Sequence, residues 1–428
     1  MPDSFRLGRR ETLLTLAAIG GCSLLSPRSC LGQSAPGASG SAYNVLQEIP
    51  SDLHDEIRNG TARTDLQRYF DAAARRALAR RQPLYVPAGT FPMRTWSPPA
   101  NLTVLTSGRQ TVFEQLPTNG VSQRFIRVLT DNVRLWPGGS ATVKGNIAEN
   151  ATSFNSAIQV HADDGVVIES FVCGDVYGID LGGDVLETGS HARGRLYNCN
   201  IGTIYGRNVY RNIVSITAGR FGHLDGVIQL GGVGLFGLDF EPDPGSGSPL
   251  ERWTFGTAQC HRVNFVGDPQ VPIGSISGNL LDLSYTEYGP SRPPFDYAGV
   301  NAAKSPALFE IGVRYRNCDN ISIKRAIIRD FPRGAIIDIG ENPNDGYTNL
   351  FRCDYLELHG NGIKSTYEIA QQKTRRLSVG HLVSNRKPSP AVATLIGGAV
   401  SDSVAEIEIA DIAGRAVLTH TGRVSIGR

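Results

Sequence analysis

The stretch Gly178-Ile179-Asp180-Leu181-Gly182-Gly183 decides the fold, because related stretches recur along most of the chain. Each places one polar residue between two apolar residues and commonly ends in glycine, which predicts a short strand with one dry face and a corner after it. A second unit is a polar turn followed by an alternating strand, as in Asp319-Asn320-Ile321-Ser322-Ile323. Further copies of the first unit are residues 227–232, 308–312 and 336–340, and further copies of the second are residues 131–135, 164–168, 212–216, 354–358 and 404–409.

These repeats predict an all-β fold, a parallel β-helix solenoid in which each coil adds one strand to each side. Like units lie roughly 20 to 30 residues apart once inserts are allowed for, as a solenoid requires. The lack of helices between the strands excludes a doubly wound α/β fold, and a β-sandwich is the main alternative. The Pro-, Gly- and Ser-rich inserts 241–252 and 268–303 are expected to be outer loops that form the walls of a cleft.

The composition sets limits on partners and domains. The chain has 428 residues with 42 basic and 40 acidic side chains, a net charge of +2. This balance gives no indication of a nucleic-acid or membrane-surface partner. Such a length would ordinarily predict two or three domains, but a solenoid adds coils within one domain. We therefore predict a leader over residues 1–42 and a single β-helix domain over residues 43–428.

The N-terminal residues are interpreted as a targeting signal rather than as part of the fold. Arg9-Arg10-Glu11-Thr12-Leu13-Leu14 precedes an apolar run over residues 16–25, an arrangement that resembles a twin-arginine export signal. The run is too short to span a membrane. We expect export to the periplasm or the cell surface. Cys22, in Ile19-Gly20-Gly21-Cys22, is a candidate for a lipid anchor, and cleavage within residues 33–42 is the competing interpretation.

Cysteine usage predicts neither a disulfide framework nor a metal site. Two of the seven cysteines, Cys22 and Cys30, lie in the leader. The other five are an odd number without metal-ligand spacing. We interpret them as small, mostly unpaired interior residues, with a disulfide between stacked neighbours left open. They are Cys173, Cys199, Cys260, Cys318 and Cys353.

A helix is predicted over residues 64–81, where Thr64 and Gln67 have the spacing of a capping box ahead of an apolar stripe. The turn Val86-Pro87-Ala88-Gly89-Thr90-Phe91 follows it. A short helix and then such a turn resembles the start of the pectin-lyase-like right-handed parallel β-helix superfamily. The resemblance implies a right-handed coil whose open end is capped by the helix, which protects a strand edge from unwanted pairing.

Two carboxylates alternate with apolar residues in Gly237-Leu238-Asp239-Phe240-Glu241-Pro242-Asp243. As a strand, this stretch places Asp239 and Glu241 on one exposed face with Cα atoms ~6.6 Å apart. Such a pair suits glycoside hydrolysis, which needs one carboxyl as acid and another as base or nucleophile. We expect Glu241 to be the acid, because Pro242 and apolar loop residues would desolvate it, and Asp239 to be the base in an inverting reaction. An ordinary solvated strand face is the alternative.

The stretch Arg220-Phe221-Gly222-His223-Leu224-Asp225-Gly226 supplies a cation, a base and an acid ahead of that strand. We predict that His223 and Asp225 support the carboxylate pair and that Arg220 binds an acidic sugar, with a structural role for His223 as the alternative. If the glycine-terminated units stack at ~4.8 Å, three further carboxylates share a sheet with the pair as candidate substrate ligands, or else make ordinary turn hydrogen bonds. They are Asp180, Glu310 and Asp338.

Residues 237–242, Gly-Leu-Asp-Phe-Glu-Pro, also resemble a Gly-Ile-Asp-Ile-Glu-Pro motif of bacterial right-handed β-helix proteins that are presumed to act on polysaccharides. The chain departs from the polygalacturonases of this fold, because it has no Asn-Thr-Asp, and Asp163-Asp164, Gly222-His223-Leu224 and Ser322-Ile323-Lys324 stand at other spacings. It has no decisive cluster for the Ca²⁺ that pectate lyases use. The sequence also has no phosphate loop, dinucleotide fingerprint, nucleophile elbow or zinc motif.

The function we expect is an exported carbohydrate-active enzyme, a glycoside hydrolase that cleaves a polysaccharide or oligosaccharide with paired carboxylates and no cofactor. One alternative is a polysaccharide lyase acting on an acidic glycan, for which Ca²⁺ is a candidate cofactor. Another is a non-catalytic solenoid that binds glycans at the cell surface. A phage-like spike is a third, which the export signal disfavours. No nucleic-acid partner and no membrane span are expected, and the oligomeric state is left open.

Overall fold

The computed structural model of the chain describes residues 42–117, 124–147, 155–285, 310–340, 346–362, 368–371, 373–385, 396–397, 406–413, 418–419 and 423–426. The twin-arginine segment and Cys22 lie outside the described residues, as do residues 286–303 of the second insert. The expectation that this insert is an outer loop is wrong for Ile273–Ser284, which form a strand. No helix within these ranges is long and apolar enough to cross a membrane.

Parallel strand pairing organises the chain into coils. From the larger sheet, sheet A, the chain passes to a second sheet, sheet B, and crosses a third side before it returns to sheet A. Neighbouring strands within a sheet come from successive coils and pair in parallel throughout the described residues. The prediction of a parallel β-helix is therefore confirmed. The sandwich alternative is wrong, because sandwich sheets are built from antiparallel strands.

Sheet A contains sixteen strands within the described residues, numbered here in chain order through all sheets. They are β1 (Tyr43–Asn44), β2 (Leu84–Val86), β3 (Gly89–Met93), β4 (Thr103–Thr106), β5 (Thr111–Gln115), β7 (Val133–Lys144), β10 (Phe171–Leu181), β13 (Cys199–Val209), β16 (His223–Gln229), β19 (Trp253–Cys260), β21 (Ile273–Ser284), β23 (Cys318–Arg329), β25 (Thr348–His359), β27 (Thr374–Asn385), β29 (Glu406–Ala413) and β31 (Arg423–Ile426).

Sheet B has eleven strands in the same part of the chain, and two pairs of two-residue strands lie on the third side. The strands of sheet B are β6 (Ile126–Val128), β8 (Ile158–Ala162), β11 (Leu186–Ser190), β14 (Val214–Ile216), β17 (Leu238–Phe240), β20 (Val263–Val266), β22 (Ile311–Arg316), β24 (Gly334–Asp338), β26 (Ile369–Ala370), β28 (Ile396–Gly397) and β30 (Leu418–Thr419). On the third side, β9 (Val167–Ile168) pairs with β12 (Arg195–Leu196), and β15 (Gly219–Arg220) pairs with β18 (Leu250–Glu251).

Side chains alternate between a dry interior and the outer faces, as the repeats predict. Large rings in one coil lie against small residues in the next. Phe255 pairs in register with Gly278, where an added Cβ would lie 2.0 Å from the Phe255 ring. Trp253 occupies the space beside Gly222 in the same way, with an added Cβ 2.4 Å from the indole. Glycine at these two positions therefore lets the interior close around large rings at native packing density.

Two helices precede the coils, α1 (His54–Asn59) and α2 (Gln67–Ala79), and short 3-10 turns cover Val45–Gln47, Ser51–Leu53 and Gly108–Gln110. Helix α2 falls within the predicted range 64–81. Its Phe70 ring meets the interior rings of Phe91 and Phe113 edge-on at 5.7 and 6.0 Å, so its apolar side covers the first coils. The predicted capping box at Thr64 is wrong. Leu66 is the N-cap residue, and the Asp65 carboxylate accepts the Gln67 N–H instead.

The five cysteines of the body are all buried and all free thiols. Burial raises the pKa of each thiol, because a thiolate would lose its hydration in the interior. They therefore behave as small apolar interior residues, as the sequence predicts. The disulfide that the sequence left open is not formed.

Candidate active site

Asp239 lies on the outer face of sheet B, at the centre of strand β17. Its neighbours in sequence, Leu238 and Phe240, are fully buried inside the coil. Asp239 pairs in register with Ser215 in the preceding coil and with Asn264 in the following coil. The strand ends at Phe240, two residues before Pro242. The alternation read from the sequence therefore places the Asp239 side chain outside the interior.

Asp239 is nevertheless almost completely shielded from water, with only 2% of its surface exposed. The Asn212 side-chain amide donates to Oδ2 at 2.9 Å, and the Asn264 amide donates to Oδ1 at 2.8 Å. Asn212 is held in turn, because its side-chain oxygen accepts the Phe236 N–H at 3.0 Å. The carboxylate is therefore enclosed by two oriented amides, which is not the environment of an ordinary wet strand face.

The two predicted carboxylates have different surroundings. Burial raises the pKa of Asp239 well above its usual value, and the nearby charge of Glu241 raises it further. The Asn264 hydrogen bond and the Arg211 charge oppose this shift, because both favour the ionised form. Glu241 itself is exposed. The expectation that Glu241 is the desolvated member of the pair is therefore wrong: neighbouring coils enclose Asp239, while Glu241 lies past the end of the strand.

A buried ion pair lies beside Asp239 at the corner that leads into sheet B. Arg211 Nη1 is 3.7 Å from Oδ2 of Asp184, and Asp184 is only 1% exposed. Burial raises the pKa of Asp184 to about 6, although the Arg211 charge opposes the shift. The charge of Asp184 is also the main cause of a raised pKa for Arg211, and Asp239 adds to it. Arg211 therefore interacts with an acid on each side.

A second arginine lies on the other side of Asp239. Arg314 follows Asn264 in the same outward-facing column of sheet B and places its guanidinium 5.4 Å from the centre of the Phe236 ring. Burial lowers the pKa of Arg314, while the charges of Asp239 and Glu241 oppose that change. Arg314 makes no hydrogen bond or ion pair with the described residues. A partly desolvated cation is thus held near the carboxylates without direct contact.

The polar surface continues towards the N-terminal coils. Glu187 precedes Ser215 in the column of Asp239 and accepts a hydrogen bond from the Ser156 hydroxyl. Asp243 has a raised pKa, mainly through partial loss of hydration and then through the charge of Glu187. Burial lowers the pKa of His161, against the nearby charge of Asp163. The outer side of sheet B and its edges therefore carry several ionisable groups, interspersed with polar residues, on both sides of the carboxylate pair.

We call the central part of this polar surface the sheet B cluster. The sequence identified its two carboxylates but missed its other members. Asn212 had been assigned only to a turn, and Asn264 and the arginines carry no motif. The only signal that could identify these residues is an outward position next to an acid in the neighbouring coil. To recognise that position, one must already know the register between strands of successive coils. The sheet B cluster consists of Asp184, Arg211, Asn212, Asp239, Glu241, Asn264 and Arg314.

The predicted supporting residues do not join the sheet B cluster. His223 and Asp225 lie on the outer face of strand β16 in sheet A. There His223 Nε2 is 3.0 Å from the Asp225 carboxylate, and Nδ1 is 2.7 Å from the Thr254 hydroxyl. Arg220 lies on the third side and forms a 3.0 Å ion pair with Glu251. The structure therefore places this stretch on other sides of the coil from Asp239.

The expectation that three further carboxylates share a sheet with the pair is confirmed for Asp338, which belongs to sheet B, and is wrong for Asp180, which belongs to sheet A. Asp180 lies one residue before the end of strand β10 of sheet A, accepts a 2.9 Å hydrogen bond from Asn208 and lines a pocket with Lys144. Asp338 belongs to sheet B but pairs with the interior residue Tyr315, so it points into the coil, where the Thr374 hydroxyl donates to it at 2.6 Å. A shift of one residue in the alternation reverses the face. The third, Glu310, lies just before β22 and pairs with Arg333 at 3.1 Å.

The fold and the site define a parallel β-helix with several ionisable side chains along one sheet. No protein-family model matches the chain, and a search among curated proteins found no match. Among the described residues, no group of three or more His, Cys, Asp or Glu side chains is arranged to hold a metal ion.

Proposed function

We propose that this protein is an exported glycoside hydrolase of the pectin-lyase-like right-handed β-helix superfamily, acting on a polysaccharide or oligosaccharide. The observation that carries the proposal is the contrast between Asp239 and Glu241. One carboxyl is buried and has a raised pKa, and the other is exposed beside it. Glycoside hydrolysis needs two carboxyl groups whose environments separate their roles.

The burial reverses the roles expected from the sequence. Asp239 retains its proton to higher pH and donates it to the glycosidic oxygen as the bond from that oxygen to the anomeric carbon breaks. Glu241 accepts a proton from the water molecule that attacks the anomeric carbon. The Cα spacing of ~6.6 Å along a strand leans towards this inverting course, in which a water molecule fits between the two carboxyl groups.

The arginines support a substrate with anionic groups. Arg314 is partly buried and makes no direct ion pair with the described residues. Arg316 lies two residues further along β22, on the same face, and its positive charge contributes to the lowered pKa of Arg314. A partly desolvated Arg314 without a direct counterion is unfavourable unless a ligand brings an anion to it. A sugar carboxylate or sulfate would supply that charge and position the glycan beside Asp239.

This arrangement also favours a second candidate function, a lyase acting on a uronate-containing glycan. In that reaction Arg314 would neutralise the uronate carboxylate, which acidifies the neighbouring C–H group. A base would remove that proton, its electron pair would form a C=C bond, and the glycosidic oxygen would leave with a proton from Asp239. The product would be an unsaturated sugar, which absorbs in the near ultraviolet. A hydrolase would produce no such chromophore.

The two reactions and the non-catalytic alternative are separated by one screen. The protein is incubated with polygalacturonate, alginate, dextran and xylan, and both reducing ends and near-ultraviolet absorbance are followed. We expect reducing ends without a chromophore on at least one anionic glycan. A chromophore that rises with the reducing ends would identify the lyase instead. Binding without either signal would identify a non-catalytic glycan-binding protein.

A further inference from the structure

The corner between the third side and sheet A contains two residues in a conformation that their side chains disfavour. Phe221 and Arg252 have φ angles of 58° and 56°, in the left-handed region. Asn198 occupies the same corner one coil earlier, with φ 47°. Asparagine adopts this conformation at low cost, whereas phenylalanine and arginine are strained there. Strain of this kind persists where something other than stability selects the residue.

Packing does not compensate for the strain at Phe221. Its surface is 46% exposed, although a ring of this size is normally buried. The one aromatic contact of the ring within the described residues is with Arg252, whose guanidinium lies 5.1 Å from the ring centre. An exposed cation–π contact contributes little to stability. The pair therefore presents a flat apolar surface and a cation to solvent.

A row of hydrogen-bonding side chains runs alongside this corner on the outer face of sheet A. Asn200, His223 and Thr254 occupy equivalent positions in three successive coils, because Asn200 pairs with His223 and His223 pairs with Thr254. His223 forms hydrogen bonds with the Thr254 hydroxyl and with Asp225. Its side chain is nevertheless 45% exposed. The stretch that the sequence singled out for chemistry thus combines an exposed ring with polar neighbours.

We propose that Phe221, Arg252 and this polar row form a second glycan-binding site, away from the sheet B cluster. The apolar face of a sugar ring would stack on Phe221, and sugar hydroxyls would bond to the side chains of Asn200 and Thr254. The choice of a glycan as ligand rests on the proposed function. Because Phe221 lies on a different side of the coil from Asp239, the site would hold the polymer without taking part in its cleavage.

Affinity electrophoresis in gels that contain polygalacturonate, alginate, dextran or xylan tests this site. All proteins carry Asp239→Asn, so that the glycan is not cleaved during the run. Phe221→Asn removes the ring and supplies the side chain that Asn198 uses at the equivalent corner. We expect this change to weaken retention about tenfold while raising the melting temperature. A role in folding alone would instead lower the melting temperature and leave retention unchanged.

Val167→Asn is the matched control, because Val167 is 45% exposed on the third side and lies outside the proposed site. It should leave retention within about twofold of the parent. The proposal is overturned if none of the four glycans retards the parent, or if Phe221→Asn and a second variant, Phe221→Gly, are retained as strongly as the parent. Cleavage assays on short oligosaccharides with Asp239 intact separate the two proposals. If the hydrolase proposal is wrong, no oligosaccharide is cleaved but retention in the gel still depends on Phe221. If the second-site proposal is wrong, cleavage is unchanged but retention does not depend on Phe221.

Discussion

At the scale of single residues, the Asn264 amide controls the proton on Asp239. It donates a 2.8 Å hydrogen bond to Oδ1 and thereby lowers the pKa of the carboxyl. Asn264→Leu keeps a similar volume but removes the donor, so the pKa of Asp239 should rise further. An acid catalyst loses activity as pH rises through its pKa, and the alkaline limb of the pH–kcat profile should therefore move to higher pH.

Asn349→Leu is the control for this prediction, because the Asn349 side-chain amide donates a 3.2 Å hydrogen bond to the Asp319 carboxylate on sheet A. Its pH–kcat profile should overlay that of the parent. An alkaline limb that stays in place in Asn264→Leu would contradict the assignment of Asp239 as the acid.

Asp184 should make stability depend on pH. Burial raises its pKa to about 6 in the folded state, whereas an unfolded aspartate titrates near ~3.9. Between these values the folded protein keeps a proton that the unfolded chain has released, so the contribution of this group to stability falls as pH rises from about 4 through about 6. The loss is on the order of 2–3 kcal/mol.

Asp184→Asn cannot ionise and should flatten this part of the curve, as measured by chemical denaturation at a series of pH values. Its side-chain oxygen can still accept the Asn212 N–H that Oδ1 of Asp184 accepts at 2.8 Å. If the variant and the parent lose stability in parallel over this range, another group is responsible for the pH dependence.

The sequence was informative about the two carboxylates and silent about the residues that tune them. Period-two alternation was enough to place the Asp239 side chain outside the interior, with the charge of Glu241 nearby. The amides that enclose Asp239 come from residues 27 and 25 positions away in the chain. Which residue of one coil lies beside which residue of the next depends on corner and insert lengths, and these lengths follow no fixed repeat.

At the scale of the strand, Phe240 anchors β17 and therefore the site. Its ring stacks on Phe265 at 5.5 Å and meets Trp253 edge-on at 6.3 Å. Phe240→Ala would leave a cavity between these rings and should destabilise the fold by about 3–5 kcal/mol. Leu230→Ala, at a residue that is 52% exposed, should change stability by less than about 0.5 kcal/mol. Denaturant titration measures both, and equal effects would contradict the interior position of Phe240.

The sequence predicted strands correctly where apolar and polar residues alternate without interruption. It did not predict which sheet each strand joins, or how helix α2 begins. The glycine-terminated units 178–183, 227–232 and 336–340 overlap strands, but they do not all belong to one sheet. Asp180 lies in a strand of sheet A, and Asp338 has the interior phase of sheet B. The helix before the first coil was predicted at about its observed position, yet its cap was not. Local propensity gives the element, and tertiary packing fixes its ends and its phase.

At the scale of the whole molecule, the repeated alternation of apolar and polar residues was sufficient to predict the solenoid, because every coil needs one side facing the interior and one side facing water. The same regularity hides the site, since many outward positions carry a polar residue whether or not it has a function. Only the packing of coils distinguishes the enclosed Asp239 from exposed carboxylates such as Asp225.

Export is a property of the whole chain and remains a prediction from Arg9 and Arg10. The twin-arginine receptor reads both guanidinium groups, so Arg9→Lys together with Arg10→Lys should keep the protein in the cytoplasm. Cell fractionation and immunoblotting measure the exported fraction. Arg6→Lys is the matched control and should be exported like the parent. Normal export of the double variant would contradict the twin-arginine assignment.

The central claim is that Asp239 and Glu241 carry out glycoside hydrolysis, and turnover of a cleaved glycan by amide variants tests it most directly. Asp239→Asn and Glu241→Gln keep the shapes of the side chains but remove the proton chemistry. Each should lower kcat on the order of 10²–10⁴-fold without loss of glycan binding. Glu357→Gln, at a carboxylate of sheet A that pairs with Arg325 and His359, should retain the parent rate. Parental turnover by both amide variants would show that the reaction takes place elsewhere on the β-helix.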